Sequence, residues 1–70
     1  MAIIVLNPGE VFEHSHTKES TTVLLCGALE LDREGTITQL SVGDAIVTNA
    51  GIPERFRNSG DAVAAFNCVH

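Results

Sequence analysis

Two of the chain's three histidines, His14 and His16, are separated only by Ser15. In a strand that spacing puts both imidazoles on one face, whereas in a helix they would diverge. Two neighbouring neutral imidazoles cost desolvation unless something binds them, and a metal ion is the simplest such partner. The alternative is a hydrogen-bonded, idle pair at a rim. Two carboxylates stand as further donors. Glu19 follows the pair closely, and Glu54 opens a segment, Glu54–Arg57, in which it shares a face with Phe56 while Arg55 and Arg57 take the other. A lone carboxylate on the face of a core phenylalanine needs a cation or a proton, unless it reaches solvent or an arginine at the rim. Glu10, Glu13, Glu30, Asp32 and Glu34 read as solvated faces or turns. In a strand ending the chain, Phe66, Cys68 and His70 share a face, and Cys26, counted from Ser20 with period two, also points inward. Inward sulfur near two histidines could tune or join the site; against that, both cysteines read as small buried hydrophobes, and His70 is a remote donor.

Glycine and proline set the elements that must position these groups. Gly27, Gly35, Gly43 and Gly51 recur at eight-residue intervals, with Pro8-Gly9, Pro53 and Gly60 as further breaks. The short stretches between are rich in Val, Ile, Leu and Thr, which is all-β spacing with no room for a normal helix. Strands are predicted at Ala2–Leu6, Val11–His14, Thr21–Cys26, Ala28–Asp32, Thr36–Leu40, Ala45–Asn49, Glu54–Arg57 and Ala62–Val69. Arg33-Glu34-Gly35 turns one hairpin, and Asn58-Ser59-Gly60-Asp61 is expected to turn a second. Ser41-Val42-Gly43-Asp44 reads as a tight turn with Gly43 in a conformation other residues avoid. The fold class is all-β, a small antiparallel barrel or jelly-roll sandwich formed by residues 1–70 as one domain.

The chain has 70 residues, no tryptophan or tyrosine, and three phenylalanines, Phe12, Phe56 and Phe66. Its core must be built from aliphatic side chains and is thin, so a metal or a second subunit would help it. The net charge of −5 and four scattered cations argue against nucleic acid and against anionic lipid. The apolar start, Ala2 to Leu6, is too short to span a bilayer or to serve as a signal core, and two cysteines suit thiols, so a cytoplasmic location is expected.

Two segments resemble the paired motifs of the cupin family. The first runs from Gly9 through His14-Ser15-His16 to Val23-Leu24-Leu25-Cys26-Gly27, and the second from Gly43-Asp44 through Gly51-Ile52-Pro53-Glu54 to Asn58. The stretch between Gly27 and Leu40 resembles the family's inter-motif region, so the likeness covers nearly the whole chain. In cupins the metal is held by two motif-one histidines, a motif-one glutamate and a motif-two histidine. Carried over, the histidines are His14 and His16. The glutamate position, counted back from Gly27, falls on Ser20, with Glu19 one residue off and facing away unless a bulge re-aims it. The motif-two histidine position falls on Glu54, and Asn49 stands where the family often has proline.

Those departures leave two readings. In one, His14, His16 and Glu54 form a two-histidine, one-carboxylate set for a divalent ion (Fe, Mn, Ni or Zn), with open positions for a small oxygenated or carboxylated substrate or ligand. Glu54 or Glu19 would then move a proton, beside a pocket lined by Phe12, Phe56 and Phe66. In the other the site is degraded, and the domain binds a metabolite or serves a structural role without catalysis. The resemblance also implies a homodimer, with Ala2–Leu6 pairing with the partner's sheet.

Overall fold

The computed structural model describes residues 2–70. Eight strands follow one another: β1 (Ala2–Leu6), β2 (Val11–His14), β3 (Ser20–Cys26), β4 (Leu29–Arg33), β5 (Thr36–Leu40), β6 (Ala45–Thr48), β7 (Glu54–Asn58) and β8 (Ala64–Val69). They form two four-stranded sheets, ordered β1-β8-β3-β6 and β2-β7-β4-β5, with every pairing antiparallel. The predicted segments match these strands to within one or two residues. Among the described residues there is no helix, and none long and apolar enough to cross a membrane.

Alternation explains the layers. Leu29 and Leu31 of β4, Phe56 of β7, Leu24 of β3 and Phe66 of β8 point into the space between the sheets and are fully buried, with Leu6 and Leu40 closing the same cluster. Phe56 and Phe66 stack across the two sheets, 4.6 Å between ring centroids. These rings therefore fill the interior, and the expected phenylalanine-lined pocket is a packed core instead. Asn58 seals one end. Its amide nitrogen donates to the carbonyls of Leu6 (3.0 Å) and Ala62 (2.7 Å), and its oxygen accepts from the Gly60 amide at 2.9 Å.

The turn between β4 and β5 is the expected hairpin, with Glu34 and Gly35 both at positive φ (52° and 84°), as a two-residue primed turn requires. The Asn58–Asp61 segment is not a hairpin turn. β7 and β8 lie in different sheets, so this turn is a crossover corner. A turn signature fixes where a chain reverses, not which neighbour it then pairs with. Cys26 also departs from expectation. The β3–β8 register shifts between Leu24 and Cys26, where one extra residue, Leu25, inserts as a bulge. The bulge breaks the period-two count, so Cys26 opposes Ala65 and is exposed. β1 pairs with β8 of its own chain, which leaves only its outer edge for a partner.

Gly27 is the turn most tightly constrained by packing. Its φ is +82°, and a Cβ there would lie 2.6 Å from the Val63 carbonyl oxygen and 2.8 Å from the Ala64 Cα, whereas one on Gly51 (φ +80°) would meet open space. Gly51→Ala carries only the left-handed conformational cost, about 1–2 kcal/mol. Gly27→Ala adds an overpacking cost of about 1–3 kcal/mol. Urea denaturation is expected to rank the two variants in that order.

Candidate metal centre

The inward rows of three strands change character toward one end of the core. Along β3 the row runs Leu24, Thr22, Ser20; along β7, Asn58 and Phe56 give way to Glu54; along β8, Ala64 and Phe66 give way to Cys68. All these polar groups are buried. β2 brings His14 to the same end, because its register sets Phe12 opposite Phe56 and His14 opposite Glu54. His14 packs edge-on against the Phe12 and Phe56 rings, at 4.7 and 5.6 Å between centroids. His16 lies just beyond the strand, where its carbonyl accepts a 2.8 Å hydrogen bond from the Gly51 amide, tying its loop to the turn before β7.

The donor atoms converge. His14 Nε2 is 3.1 Å from Glu54 Oε1 and 3.1 Å from His16 Nε2, and His16 Nε2 is 3.8 Å from the same carboxylate oxygen. Cys68 Sγ lies 3.3 Å from His16 Nε2 and 3.9 Å from His14 Nε2. One donor atom from each of His14, His16, Glu54 and Cys68 falls within 4.8 Å of every other. Protons alone satisfy this arrangement poorly. A nitrogen that donates its proton to Glu54 has no lone pair left to accept one from His16. A cation among the lone pairs serves every contact at once, so the donor set fits a metal ion.

Glu54 is held from behind. The Thr48 hydroxyl donates to Oε2 at 2.7 Å, and Thr48 in turn lies 3.5 Å from an Arg33 guanidinium nitrogen that also donates to the Val47 carbonyl at 3.0 Å. One carboxylate oxygen is thus fixed by Thr48 while the other faces the histidines. Burial, with the Glu54 charge adding to it, pushes the Cys68 thiol above its ordinary range despite the nearby Thr22 hydroxyl. The His70 ring covers His16 at 4.1 Å between centroids.

His14, His16 and Glu54, read from the sequence as ligands, are brought together. Glu19 is exposed ahead of β3, outside the group, and Ser20 beside it points inward as a buried hydroxyl. Cys68 was expected to be an inert buried hydrophobe. It is buried, but its sulfur faces two imidazole nitrogens, the alternative that its shared face with Phe66 and the nearby histidine pair had left open. On the opposite side of His14 and Glu54, an open groove of about 470 Å³ is lined chiefly by Glu13, Asp32, Glu34, Pro53 and Arg55.

A family model described as the cupin domain matches residues 2–70. The chain belongs to the cupin family. This cupin is 33% identical to Protein SchB of Streptomyces halstedii over 66 residues, covering 91% of the present chain and 48% of that protein, so it spans about half its curated relative's length. A crystal structure described as a predicted oxalate decarboxylase from Thermotoga maritima superposes with a TM-score of 0.84 at 25% identity, covering 96% of this cupin and 60% of the other chain. A de novo designed double-stranded β-helix superposes equally well, TM-score 0.84 at 23% identity over 97% of this chain and 94% of that one. The fold is therefore that of the family.

The Thr48–Glu54 contact makes a stability prediction. Thr48→Val keeps the shape of the side chain and removes the donor, leaving a buried carboxylate oxygen without its partner. That is expected to cost about 1–3 kcal/mol in urea denaturation of metal-free protein, while Thr48→Ser stays close to wild type.

Proposed function

We propose that this cupin domain holds a divalent metal ion on His14, His16 and Glu54 and binds, or acts on, a small oxygen-rich metabolite there. The observation that supports this most is the convergence of donor atoms whose short contacts protons satisfy poorly. A bound ion would supply Lewis acidity toward a ligand oxygen. The protein's part is to hold both imidazoles against the aromatic wall of Phe12 and Phe56 and to keep Glu54 aimed through Thr48. Proton movement at the site falls to Glu54, the acid among the donors, since Glu19 faces solvent.

The ligand's approach to the ion is the end of the barrel where the His14 and His16 side chains keep 19% and 12% of their surface exposed; near that end, across the sheet from the donor atoms, lies the charged groove. Its rim carries Glu13, Asp32 and Glu34 against the single cation Arg55, which β2 and β4 flank with Glu13 and Asp32. An acid-rich rim repels a free carboxylate and favours hydroxyl or carbonyl oxygens. The name of the T. maritima neighbour points to a dicarboxylate, and the present rim argues for a ligand of lower charge.

A second reading, a binding or structural cupin without catalysis, draws support from the filled interior and from Ser20, which stands buried where the resemblance puts a glutamate. Elemental analysis separates the two. Protein purified without chelator or histidine tag is expected to carry near-stoichiometric divalent metal. The His14→Ala, His16→Ala double variant should lose it and Glu19→Ala should keep it. Wild-type protein that holds no metal, and takes up none on dialysis against Zn²⁺, Mn²⁺, Ni²⁺ or Fe²⁺, would leave the second reading standing.

We also propose that the domain is a homodimer, in the reducing cytoplasmic setting that two free thiols suit. The outer face of the β1-β8-β3-β6 sheet exposes Ile3 (62%), Val5 (60%), Leu25, Val47 and Val69, whereas the outer face of the other sheet is largely charged, with Glu13, Glu30, Asp32, Arg55 and Arg57. Sedimentation is expected to give a two-chain particle that Ile3→Glu, Val5→Glu dissociates. A wild-type monomer at micromolar concentration would overturn this.

A further inference from the structure

The resemblance leaves the site one donor short, since Ser20 of β3 supplies no metal ligand. The neighbouring strand supplies one instead. β8 pairs with β3, setting Cys68 opposite Thr22, one inward position from Ser20 along β3. The sulfur is buried and lies 3.3 and 3.9 Å from the two imidazole nitrogens. Cys68 therefore enters the group from the side of the core where Ser20 has no ligand to offer.

The spacing fits four ligands around one ion. Metal–nitrogen bonds of about 2.0–2.1 Å and a metal–sulfur bond of about 2.3 Å separate ligands at tetrahedral angles by about 3.3 Å (nitrogen to nitrogen) and about 3.5 Å (nitrogen to sulfur). The structure has 3.1 Å between the imidazole nitrogens, 3.3 and 3.9 Å from them to sulfur, and 3.1 and 3.8 Å from them to the carboxylate oxygen. These five separations surround the tetrahedral values, and the sixth, sulfur to carboxylate oxygen, falls within 4.8 Å, so a side-chain adjustment of Cys68 or Glu54, not a movement of the strands, has to complete the set. A thiolate also changes which ions the site accepts, because soft sulfur favours zinc, cobalt and copper over manganese and magnesium.

We propose that Cys68 is a fourth ligand, making a two-nitrogen, one-oxygen, one-sulfur centre that selects a thiophilic, four-coordinate ion of the Zn²⁺ kind. The inference rests on the metal-site reading above and adds to it the sulfur and the metal class. On binding, the thiol gives up its proton to solvent as the sulfur–metal bond forms, and no oxidation is involved. A small ligand would reach the ion from the end of the barrel, where His14 and His16 keep some exposure, as a fifth donor, which zinc accommodates.

Cobalt(II) titration of metal-free protein tests this, in a Cys26→Ser background that removes the exposed thiol. The expected result is a thiolate-to-cobalt charge-transfer band in the near ultraviolet together with the strong visible absorption of four-coordinate cobalt. Cys68→Ser and Cys68→Ala should lose the charge-transfer band and still bind cobalt. Their Zn²⁺ affinity in equilibrium dialysis should fall by about two orders of magnitude, while their Mn²⁺ affinity changes little. Wild-type binding without the charge-transfer band, and with Zn²⁺ affinity unchanged in both variants, would overturn the role of Cys68 and leave the His14–His16–Glu54 site intact. Failure of the parent protein to bind Co²⁺ or Zn²⁺ at all would overturn both. Circular dichroism of the two variants separates loss of a ligand from loss of fold.

Discussion

The register between β2 and β7 governs everything at this site. It is a short ladder, Val11 to His14 against Arg57 to Glu54, and its last rung places an imidazole opposite a buried carboxylate. The rung before it, Phe12 opposite Phe56, anchors the ladder in the core. A slip of one residue would turn Phe12 and His14 outward and bring Glu13 inward, because side chains alternate with period two. Hydrophobic burial of Phe12 and Phe56 thus forbids the slip, and the position of the donors follows from it. The same aromatic pair then walls the histidine on two sides. An apolar preference in the core fixes a polar geometry at its edge.

That edge is expensive for so small a domain. Ser20, Thr22, Thr48, Glu54 and Cys68 are all buried at one end, and His14 and His16 are largely covered. Seventy residues provide a modest apolar core, and each buried polar group without a partner costs about 1–3 kcal/mol. The opposite end shows how such a cost is met by covalently fixed partners: Asn58 finds two carbonyls and an amide in the turns around it. At the histidine end the partners are other side chains, and they are predominantly lone-pair donors. The two ends therefore differ in kind. One is closed by hydrogen bonds within the chain, and the other is arranged as a donor set that fits a cation.

Much of this was legible in the sequence, because the signals involved are local. Glycine punctuation placed the strands to within one or two residues, since Gly27, Gly35, Gly43 and Gly51 all occupy positive φ where the chain must turn. Alternation within β7 put Glu54 on the face of Phe56, and the His-x-His spacing put two imidazoles beside it. What the sequence did not disclose depends on relations between distant segments. The bulge at Leu25 has no local signature and inverts the phase of Cys26 alone. The turn at Asn58–Asp61 has hairpin chemistry, yet the strands it joins enter different sheets. Cys68 shares a face with Phe66, which the period shows, but its approach to His16 depends on the pairing of β8 with β3 and on the loop that the Gly51 amide holds.

Cys68 and Ser20 show how a scaffold can redistribute donors without moving its strands. Ser20, Thr22 and Cys68 lie on adjoining inward positions of β3 and β8, so a donor can be lost from one strand and supplied by its neighbour a few ångströms away. Glu54 makes a comparable exchange on the facing sheet, where the resemblance calls for a histidine. Each exchange sits on a regularly paired stretch, Thr22 opposite Cys68 and His14 opposite Glu54. What changes is the chemistry of the donor set. Two imidazoles, a carboxylate and a sulfur make a softer set than three imidazoles and a carboxylate. In a fold whose strand framework is shared with a designed double-stranded β-helix, the framework alone selects no chemistry. Selection comes from the few inward positions at one end of two ladders, and in this chain those positions hold a donor set unlike the one its family resemblance predicts.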